Sequence, residues 1–343
     1  MTSSPAAASR LRVFIFGCGQ GESIVLECDG RFGVIDSFRH QNIVPALQLL
    51  KTMGAERLDF LGLTHPHEDH YGGLGEILEH FISRGGVGEF WRYPALDWSR
   101  LFPVLKARVY KKRSAPKFQA LAGASLDELQ GFYRRLFEAR GAITIRNLEL
   151  GFHWPSWDPV QFRVLAPSGT VTMEAAERLA REVTRADQKR EPLNDYSFAL
   201  HVQLNEHSVY LMGDTSSRSW NISRSDPLWP GLIRPKPSVI VKASHHGSDK
   251  DNPDWLLSAV RGTVATRIAV TRYTPSNLPR SGPLTRLAAL GAAHRLSDYP
   301  AATGPSFEPE CLELEFNRTN VVWKRWSMAQ LSGRVWKESQ QVN

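Results

Sequence analysis

Residues 58–70 read LDFLGLTHPHEDH, and this stretch decides how the rest of the chain is interpreted. Its first half is apolar and β-rich, which is typical of a buried strand that ends near Leu63. Its second half places four side chains that can bind a metal within six positions: His65, His67, Asp69 and His70. Imidazole nitrogen and carboxylate oxygen are the usual ligands of zinc and related divalent ions. The stretch therefore predicts a strand that delivers a metal site to one edge of a sheet.

The spacing inside this cluster indicates two sites rather than one. His65 and His67 are two residues apart, so on an extended segment their side chains point to the same side. Asp69 and His70 then begin a turn that leads into a helix, and they point elsewhere. We therefore expect the four ligands to divide between two metal ions.

Composition limits the classes of protein that the chain can belong to. It has 343 residues, an apolar share typical of globular proteins and a formal charge of +7, which favours an anionic partner or substrate. Its three cysteines, Cys18, Cys28 and Cys311, are too few and too scattered for a disulfide framework. This cysteine usage fits a protein from a reducing compartment. The N-terminus carries no apolar secretion signal, and no segment has the length of a membrane span. We expect a soluble, cytoplasmic protein that does not contact membranes.

The order of predicted elements indicates an α/β (α+β) fold. Strands and helices alternate, but the early and late strands come as hairpins, which fits two mixed sheets packed face to face with helices outside. We expect one domain over residues 11–330, with a helical insertion at 95–140 that begins with a basic stretch able to contact nucleic acid. Residues 1–10 are predicted to be disordered, and 331–343 to form a C-terminal tail.

Three more features distant in sequence complete the predicted site. Asp214 follows an apolar strand and Gly213, so its carboxylate can approach a cation closely and bridge two metals. The adjacent His245 and His246 end another apolar strand and can supply one ligand and one acid or hydrogen-bond donor. Asp36 also follows a strand, where a carboxylate can orient a histidine that binds metal.

Taken together, these residues resemble the metallo-β-lactamase superfamily. The resemblance implies a four-layer αββα sandwich with a dinuclear metal site at one edge of its two sheets. It also implies roles for individual residues, with His65 and His67 on the first metal, Asp214 as the bridge and Asp36 behind the ligands. The second metal would be held by Asp69, His70 and one of His245 and His246.

A narrower resemblance is to the branch typified by the soluble domain of bacterial DNA-internalisation competence proteins. It rests on the FGCGQGES sequence at 16–23, NDYS at 194–197, HHGS at 245–248 and Asn277 ahead of a Pro-containing helix. Many superfamily members have a histidine where this chain has Asn194, so the first metal would lack its third histidine. The branch usually has His-Pro where this chain has Gly282-Pro283.

These features predict a metal-dependent hydrolase that acts on phosphodiester bonds of nucleic acids or nucleotides. We expect two divalent ions, with zinc as the first choice and manganese as the alternative. Asp69, His245 and His246 are the predicted catalytic residues, and behind them or at the substrate we expect Asp36, Asn194, Lys242 and Ser248. Two other functions fit the same residues: a small-molecule hydrolase of esters, lactones or phosphorylcholine, and a metal-stabilised binding module without activity.

Overall fold

The computed structural model describes residues 9–17, 21–40, 42–94, 116–174, 177, 193–234, 236–296, 310–316 and 321–327. Most of the predicted disordered start, the C-terminal tail at 331–343 and the basic stretch ahead of residue 116 lie outside these residues. So do residues 18–20 of the sequence that resembles the competence branch. The expectations that depend on these segments stay predictions.

The described residues form two β-sheets. The first has eight strands in the order β15-β14-β1-β2-β3-β4-β5-β6, and the second has seven in the order β13-β12-β11-β10-β9-β8-β7. The strands of the first sheet are β1 (Leu11–Gly17), β2 (Glu22–Cys28), β3 (Arg31–Ile35), β4 (Leu58–Leu63), β5 (Val87–Arg92), β6 (Thr144–Asn147), β14 (Glu310–Phe316) and β15 (Val321–Ser327). Those of the second sheet are β7 (His153–Trp157), β8 (Val160–Ala166), β9 (Ala199–Leu204), β10 (His207–Leu211), β11 (Ser238–Lys242), β12 (Ala265–Thr271) and β13 (Ala292–Leu296).

Helices connect the parallel strands of both sheets. They are α1 (Pro45–Thr52), α2 (Glu68–Tyr71), α3 (Leu74–Ile82), α4 (Pro116–Glu138), α5 (Ser217–Arg224), α6 (Trp229–Leu232), α7 (Asp254–Ala259) and α8 (Ser281–Ala288). Short 3-10 turns lie at Leu193–Tyr196, Ser244–Gly247 and Thr274–Ser276. Helix α4, from the predicted insertion, buries Leu129 and Phe132 in the main core, so this part of the insertion packs on the sandwich.

The predicted sandwich of two mixed sheets with helices is confirmed. Three strands were not predicted, and each lacks the usual sequence pattern. Strand β6 is exposed along its whole length, so it shows no apolar alternation. Strand β7 contains Pro155, which argues against a strand in sequence analysis, and it lies at a sheet edge where proline is tolerated. Strand β13 begins with two alanines, which are poor β-formers.

Large aromatic side chains fill the space between the sheets. Phe60 of β4 stacks on Trp91 of β5, with ring centroids 3.8 Å apart, and its ring meets Trp154 and Phe162 of the second sheet edge-on. Gly33 on the neighbouring strand makes this possible, because a Cβ there would lie 2.1 Å from the Phe60 ring. This packed core fixes the two sheets face to face, which holds their shared edge in place.

The parallel strands decide where the functional residues meet. Strands β3 and β4 run parallel in the first sheet, and β10, β11 and β12 run parallel in the second. The carboxyl ends of parallel strands lie at the same sheet edge. Asp36 and the 65–70 cluster therefore come together on one sheet, and Asp214, the histidine pair and Thr271 come together on the other.

Candidate metal centre

Helix α2 begins within the ligand cluster. His67 is the extended residue before this helix, with φ −94° and ψ 147°, so His65 and His67 belong to the strand end. Asp69 and His70 lie inside the helix. His65 Nε2 and His67 Nδ1 lie 2.9 Å apart, so the two rings direct nitrogen atoms at one point. The division of the four ligands between two metals stays a prediction, because the rings of His65 and His70 also lie close, with centroids 4.2 Å apart.

Asp214 lies at the centre of the site. The preceding Gly213 has φ +50°, and a Cβ there would lie 2.6 Å from the Ser197 hydroxyl and 2.8 Å from the Phe198 carbonyl oxygen. The glycine thus lets the chain turn tightly against the end of β9. The Asp214 amide donates to the Ser197 hydroxyl at 2.9 Å, which fixes the start of the turn.

Four imidazole nitrogens surround a single oxygen of this carboxylate. Asp214 Oδ2 lies 3.5 Å from Nε2 of His70 and 3.6 Å from Nε2 of His246. It lies 3.9 Å from Nε2 of both His65 and His245. Asp69 joins the group, because its Oδ2 is 3.2 Å from His246 Nε2 and 3.5 Å from His70 Nε2. The structure thus gathers His65, Asp69, His70, His245 and His246 around Asp214, with His67 beside His65.

Asp36 holds the other ring nitrogen of His70 directly, and that of His65 through the Thr64 hydroxyl. His70 Nδ1 donates to Asp36 Oδ2 at 2.7 Å. The Thr64 hydroxyl donates to the same oxygen at 2.6 Å, so it accepts a hydrogen bond from His65 Nδ1 at 3.1 Å. The Thr64 amide donates to the other oxygen of Asp36 at 2.7 Å. This buried carboxylate therefore fixes both tautomers and leaves both Nε2 atoms free to bind a metal.

The histidine pair is held from the other side by a second set of polar groups. His246 Nδ1 lies 3.0 Å from the Thr271 hydroxyl, which donates to Glu22 Oε2 at 2.9 Å. The buried Lys242 ammonium forms an ion pair with the same Glu22 oxygen and donates to the Gly213 carbonyl oxygen at 3.1 Å. This chain of contacts joins the first sheet to the second directly beneath the site.

Backbone strain marks the histidine pair. His245 and His246 have φ +46° and +51°, in the left-handed region that costs non-glycine residues about 1–3 kcal/mol each. Asn252 braces the turn: its side chain accepts from the Ser244 amide at 2.9 Å and donates to the carbonyl oxygens of Ser244 and Ser248 at 2.8 and 2.7 Å. The fold therefore maintains an unfavourable conformation where two imidazoles must turn toward Asp214.

The electrostatics follow from burial and close packing of opposite charges. Burial opposes ionisation of Asp214, but His246 and His70 lower the pKa of its carboxyl well below the usual range. Burial alone would lower the pKa of His70, but Asp214, Asp69 and Asp36 together raise it well above normal. The pKa of His65 is lowered well below normal by burial and by its neighbours His70 and His67. His70 and His246 also lower the pKa of the Asp69 carboxyl against the effect of burial, so Asp69 and Asp214 stay ionised.

The residues present fit a divalent cation. The ligand atoms of Asp69, His70, Asp214 and His246 all lie within 4.8 Å of one another. His70 Nε2 and Asp214 Oδ1 are buried, and neither has a hydrogen-bond partner among the described residues. A cation between them would satisfy both atoms. A second group, Glu22, Asp36 and His70, is equally close, but its carboxylates already bind Lys242 and Thr64, so it supports the site.

The residues predicted to contact substrate are placed differently. Lys242 is fully buried and paired with Glu22, so of the two positions expected for it, it lies behind the ligands and not at the substrate. Asn194 lies beside His245, with Nδ2 at 3.2 Å from His245 Nδ1. Ser248 is half-buried at the end of the histidine turn. The sequence alone indicated no role for the supporting residues Glu22, Thr64, Asp251, Asn252 and Thr271.

Known proteins similar to this chain include one family and several solved structures. Residues 17–173 match the family model described as Metallo-beta-lactamase superfamily. A search of the curated proteins finds no match. Similar solved structures include a diphosphatase from the PhnP family, 12% identical over 90% of this chain and 98% of that chain, with a TM-score of 0.45. Another is the metallo-beta-lactamase fold protein YhfI from Bacillus subtilis, 12% identical over 84% and 96%, with a TM-score of 0.44. A third is Zn²⁺-bound PqqB from Methylobacterium extorquens, 10% identical over 83% and 97%, with a TM-score of 0.42.

The two sheets and their helices are consistent with the metallo-β-lactamase sandwich fold, and candidate metal ligands cluster at the shared edge of the sheets. Members of the superfamily whose model matches residues 17–173 are generally metallohydrolases and typically depend on two metal ions. None of the three structural similarities identifies a substrate. No helix among the described residues is long and apolar enough to cross a membrane.

Proposed function

We propose that the protein is a dinuclear metal-dependent hydrolase of phosphodiester bonds in nucleic acids or nucleotides. The observation that carries the proposal is the convergence of four imidazole nitrogens on Asp214 Oδ2, at 3.5 to 3.9 Å. The formal charge of +7 favours an anionic substrate over a neutral lactam or lactone. The resemblance to the competence branch, which is itself part of the proposal, favours the same class.

The ligand set suits zinc, with manganese as the alternative. It is rich in imidazole nitrogen and has two carboxylates, Asp69 and Asp214. His65 and His67 would hold one ion, Asp69, His70 and His246 the other, and Asp214 would bridge them. When bound, two such ions lower the pKa of a shared water toward neutrality and offset the charge that develops on a phosphoryl oxygen.

The protein's own groups orient the reactants and control protons. Asp69 is only partly buried, so its carboxylate can accept a hydrogen bond from the attacking water while it holds the metal. Asp36 and Thr271 fix the rings of His70 and His246 and so keep the ligand geometry rigid. The Tyr273 ring stacks on His246, with centroids 5.0 Å apart. Burial and the charges of Asp69 and Asp214 raise the pKa of the Tyr273 phenol, so it stays a hydrogen-bond donor for a substrate oxygen.

A substrate panel tests the proposal. Protein loaded with Zn²⁺ or Mn²⁺ is incubated with single-stranded and double-stranded DNA, RNA, a cyclic dinucleotide, bis(p-nitrophenyl) phosphate, a p-nitrophenyl ester, a lactone, a lactam and p-nitrophenyl phosphorylcholine. We expect cleavage of at least one phosphodiester, and none by the His67→Ala variant. His153→Gln is the matched control, because His153 is exposed on the edge strand β7.

The outcomes separate the three functions that the site could serve. Turnover confined to the ester, lactone or phosphorylcholine substrates would replace the proposal with a small-molecule hydrolase. Full metal occupancy without turnover of any substrate would leave a metal-stabilised binding module.

A further inference from the structure

We propose that the histidine pair divides between the two metals, and that His245 supplies the third imidazole of the His65–His67 side. In this arrangement His245 takes the place of the histidine that is absent at Asn194, and Asp251 is its positioning residue. The inference rests on the dinuclear centre of the proposed function and does not depend on the substrate being a phosphodiester.

The distances around Asp214 are symmetrical. His70 and His246 approach Oδ2 at 3.5 and 3.6 Å, and His65 and His245 both approach it at 3.9 Å. We assign the nearer two imidazoles to one metal and the farther two to the other, so that each metal receives one imidazole from the 65–70 segment and one from the adjacent pair. A bridging carboxylate flanked in this way gives both metals a similar ligand set.

The contacts of His245 match those of the other ligands. Its Nδ1 donates to Asp251 Oδ2 at 2.7 Å, as His70 Nδ1 donates to Asp36 at 2.7 Å. Asp251 is 8% exposed, and its other oxygen accepts from the Ser217 amide at 2.8 Å, so it is fixed from two directions. A carboxylate that holds Nδ1 of an imidazole leaves Nε2 with its lone pair, and this is the usual support of a metal-binding histidine.

The strained turn explains how two neighbouring residues can serve two metals. Successive side chains on a strand point to opposite faces, so an extended His-His pair could not converge on one carboxylate. The left-handed conformation of both residues directs both Nε2 atoms at Asp214 while the ring centroids stay 6.2 Å apart. The hydrogen bonds between the Asn252 side chain and the backbone of Ser244 and Ser248 maintain this conformation. This backbone strain has a functional reason if both imidazole rings are needed as metal ligands.

Asn194 leaves room for His245. Its Nδ2 lies 3.2 and 3.3 Å from the two ring nitrogens of His245, so the amide packs against the edge of that ring. Its Oδ1 is buried and has no hydrogen-bond partner among the described residues. An imidazole at 194 would occupy the space that the His245 ring now fills. The centre therefore has room for a histidine at 194 or at 245, and this chain uses 245.

Metal binding measured without substrate tests the inference. The variants are His245→Gln, Asp251→Asn, the double variant His245→Gln/Asn194→His, and His153→Gln as the matched control. Bound metal is counted by elemental analysis after dialysis against buffered Zn²⁺, and the d–d absorption of Co²⁺-substituted protein reports the number of nitrogen ligands. Circular dichroism checks that each variant is folded.

We expect about two ions per chain in the wild type and the control, and loss of one ion from His245→Gln. Asp251→Asn should weaken the binding of one ion by about 10–100-fold without changing the other. The double variant should recover the second ion, because the imidazole at 194 enters the freed space. If His245→Gln keeps both ions at unchanged affinity and an unchanged Co²⁺ spectrum, His245 is not a ligand and the inference is overturned.

Metal binding by these variants and cleavage in the substrate panel can succeed or fail independently. Wild-type protein that binds two ions, loses one in His245→Gln and cleaves no phosphodiester supports this inference and refutes the proposed activity. Wild-type protein that never binds more than one ion overturns this inference, whatever its activity. If His245→Gln does not fold, Asp251→Asn decides, and unchanged affinity for both ions in that variant counts against the inference.

Discussion

The two sides of the metal centre come from the same six-residue segment, yet the fold supports them differently. The side of Asp69, His70 and His246 is compact, and Asp36 and the Thr271–Glu22–Lys242 chain hold it from below, all of them buried. On the side of His65 and His67, the two rings lie close together, and the neighbouring His245 has 31% of its side chain exposed. Asn194 lies there in place of the third histidine that many superfamily members have.

This difference shows that ligand spacing and ligand support are separate properties. The sequence gives no sign that the two sides differ. In the structure, His70 and the Asp36 carboxylate that holds it are fully buried, whereas His245, which Asp251 holds, is partly exposed. Rigid buried support keeps an empty site ready to bind a metal. We therefore expect the Asp69–His70–His246 side to bind its metal more tightly and the His65–His67 side to exchange its metal more readily.

The largest effect should come from removing what both sides share. Asp214→Asn keeps the shape of the side chain but removes the bridging charge, so both sides lose a ligand. We expect metal content to fall on both sides and turnover to drop by about 10⁴-fold, which corresponds to about 5 kcal/mol. Elemental analysis and kcat/KM measurements check this, with Asp158→Asn, in an exposed turn, as the control. Retention of one tightly bound ion would show that Asp214 serves a single side.

Breaking the buried ion pair should destabilise the better supported side and the fold together. Lys242→Met leaves the Glu22 carboxylate uncompensated at 0% exposure, which costs about 3–5 kcal/mol. Urea denaturation should show this loss in the free energy of unfolding. Lys250→Met, at an exposed lysine after the histidine turn, should change it by less than about 0.5 kcal/mol. Equal stability of the two variants would contradict a structural role for Lys242.

Removing the charge of Asp36 should act on one side more than the other. Asp36→Asn weakens the support of His70 directly, but it reaches His65 only through Thr64. We expect the affinity for the tighter ion to fall by about 10–100-fold and the difference between the sides to shrink. Competition with a chromogenic chelator measures both affinities. The expectation fails if the weaker ion alone is affected.

Stepwise chelation sharpens the comparison directly. Limiting amounts of a chelator should remove one ion first and leave a protein with about one ion on the Asp69–His70–His246 side, with affinities that differ by about tenfold or more. Co²⁺ absorption follows the two steps, and His67→Ala should show only the second. Loss of both ions in one step would mean that the two sides bind cooperatively.

A buried histidine outside the site provides the baseline for pH studies. Burial lowers the pKa of His201 to about 3, and its ring stacks on Tyr210 at 4.5 Å. Because the folded-state pKa lies below the unfolded value of 6.5, this histidine favours folding above pH 6.5 and loses that stability as the pH falls toward 3. We expect the loss to reach about 1.4 kcal/mol near pH 5.5.

The His201→Gln variant removes this dependence on pH. Comparing its acid denaturation with that of the wild type separates unfolding of the sheet from loss of metal. Identical acid denaturation curves for the two proteins would show that His201 does not set this slope.

The sandwich and the types of ligand residue were predictable from the sequence, because both depend on local patterns. The apolar run of β4 and the density of histidine and carboxylate after it are visible in thirteen consecutive residues. The carboxylate after Gly213 and the histidine pair were found in the same way, each at the end of an apolar run. The sequence could not decide which of His245 and His246 binds which metal. The two residues are adjacent and follow the same apolar strand, so no local pattern distinguishes them.

The sequence by itself determined which chemical groups are available and roughly where each lies along the chain. Only the tertiary structure decided how they are supported, since Thr271 and Glu22 meet across 249 positions and His246 and Asp69 across 177. Such contacts leave no periodic or local signal, because they arise when parallel strands of two sheets end at one edge. The left-handed turn at His245 and His246 could not be predicted from the sequence either. The packed sheets and the hydrogen bonds of Asn252 impose a backbone conformation that histidine itself does not favour.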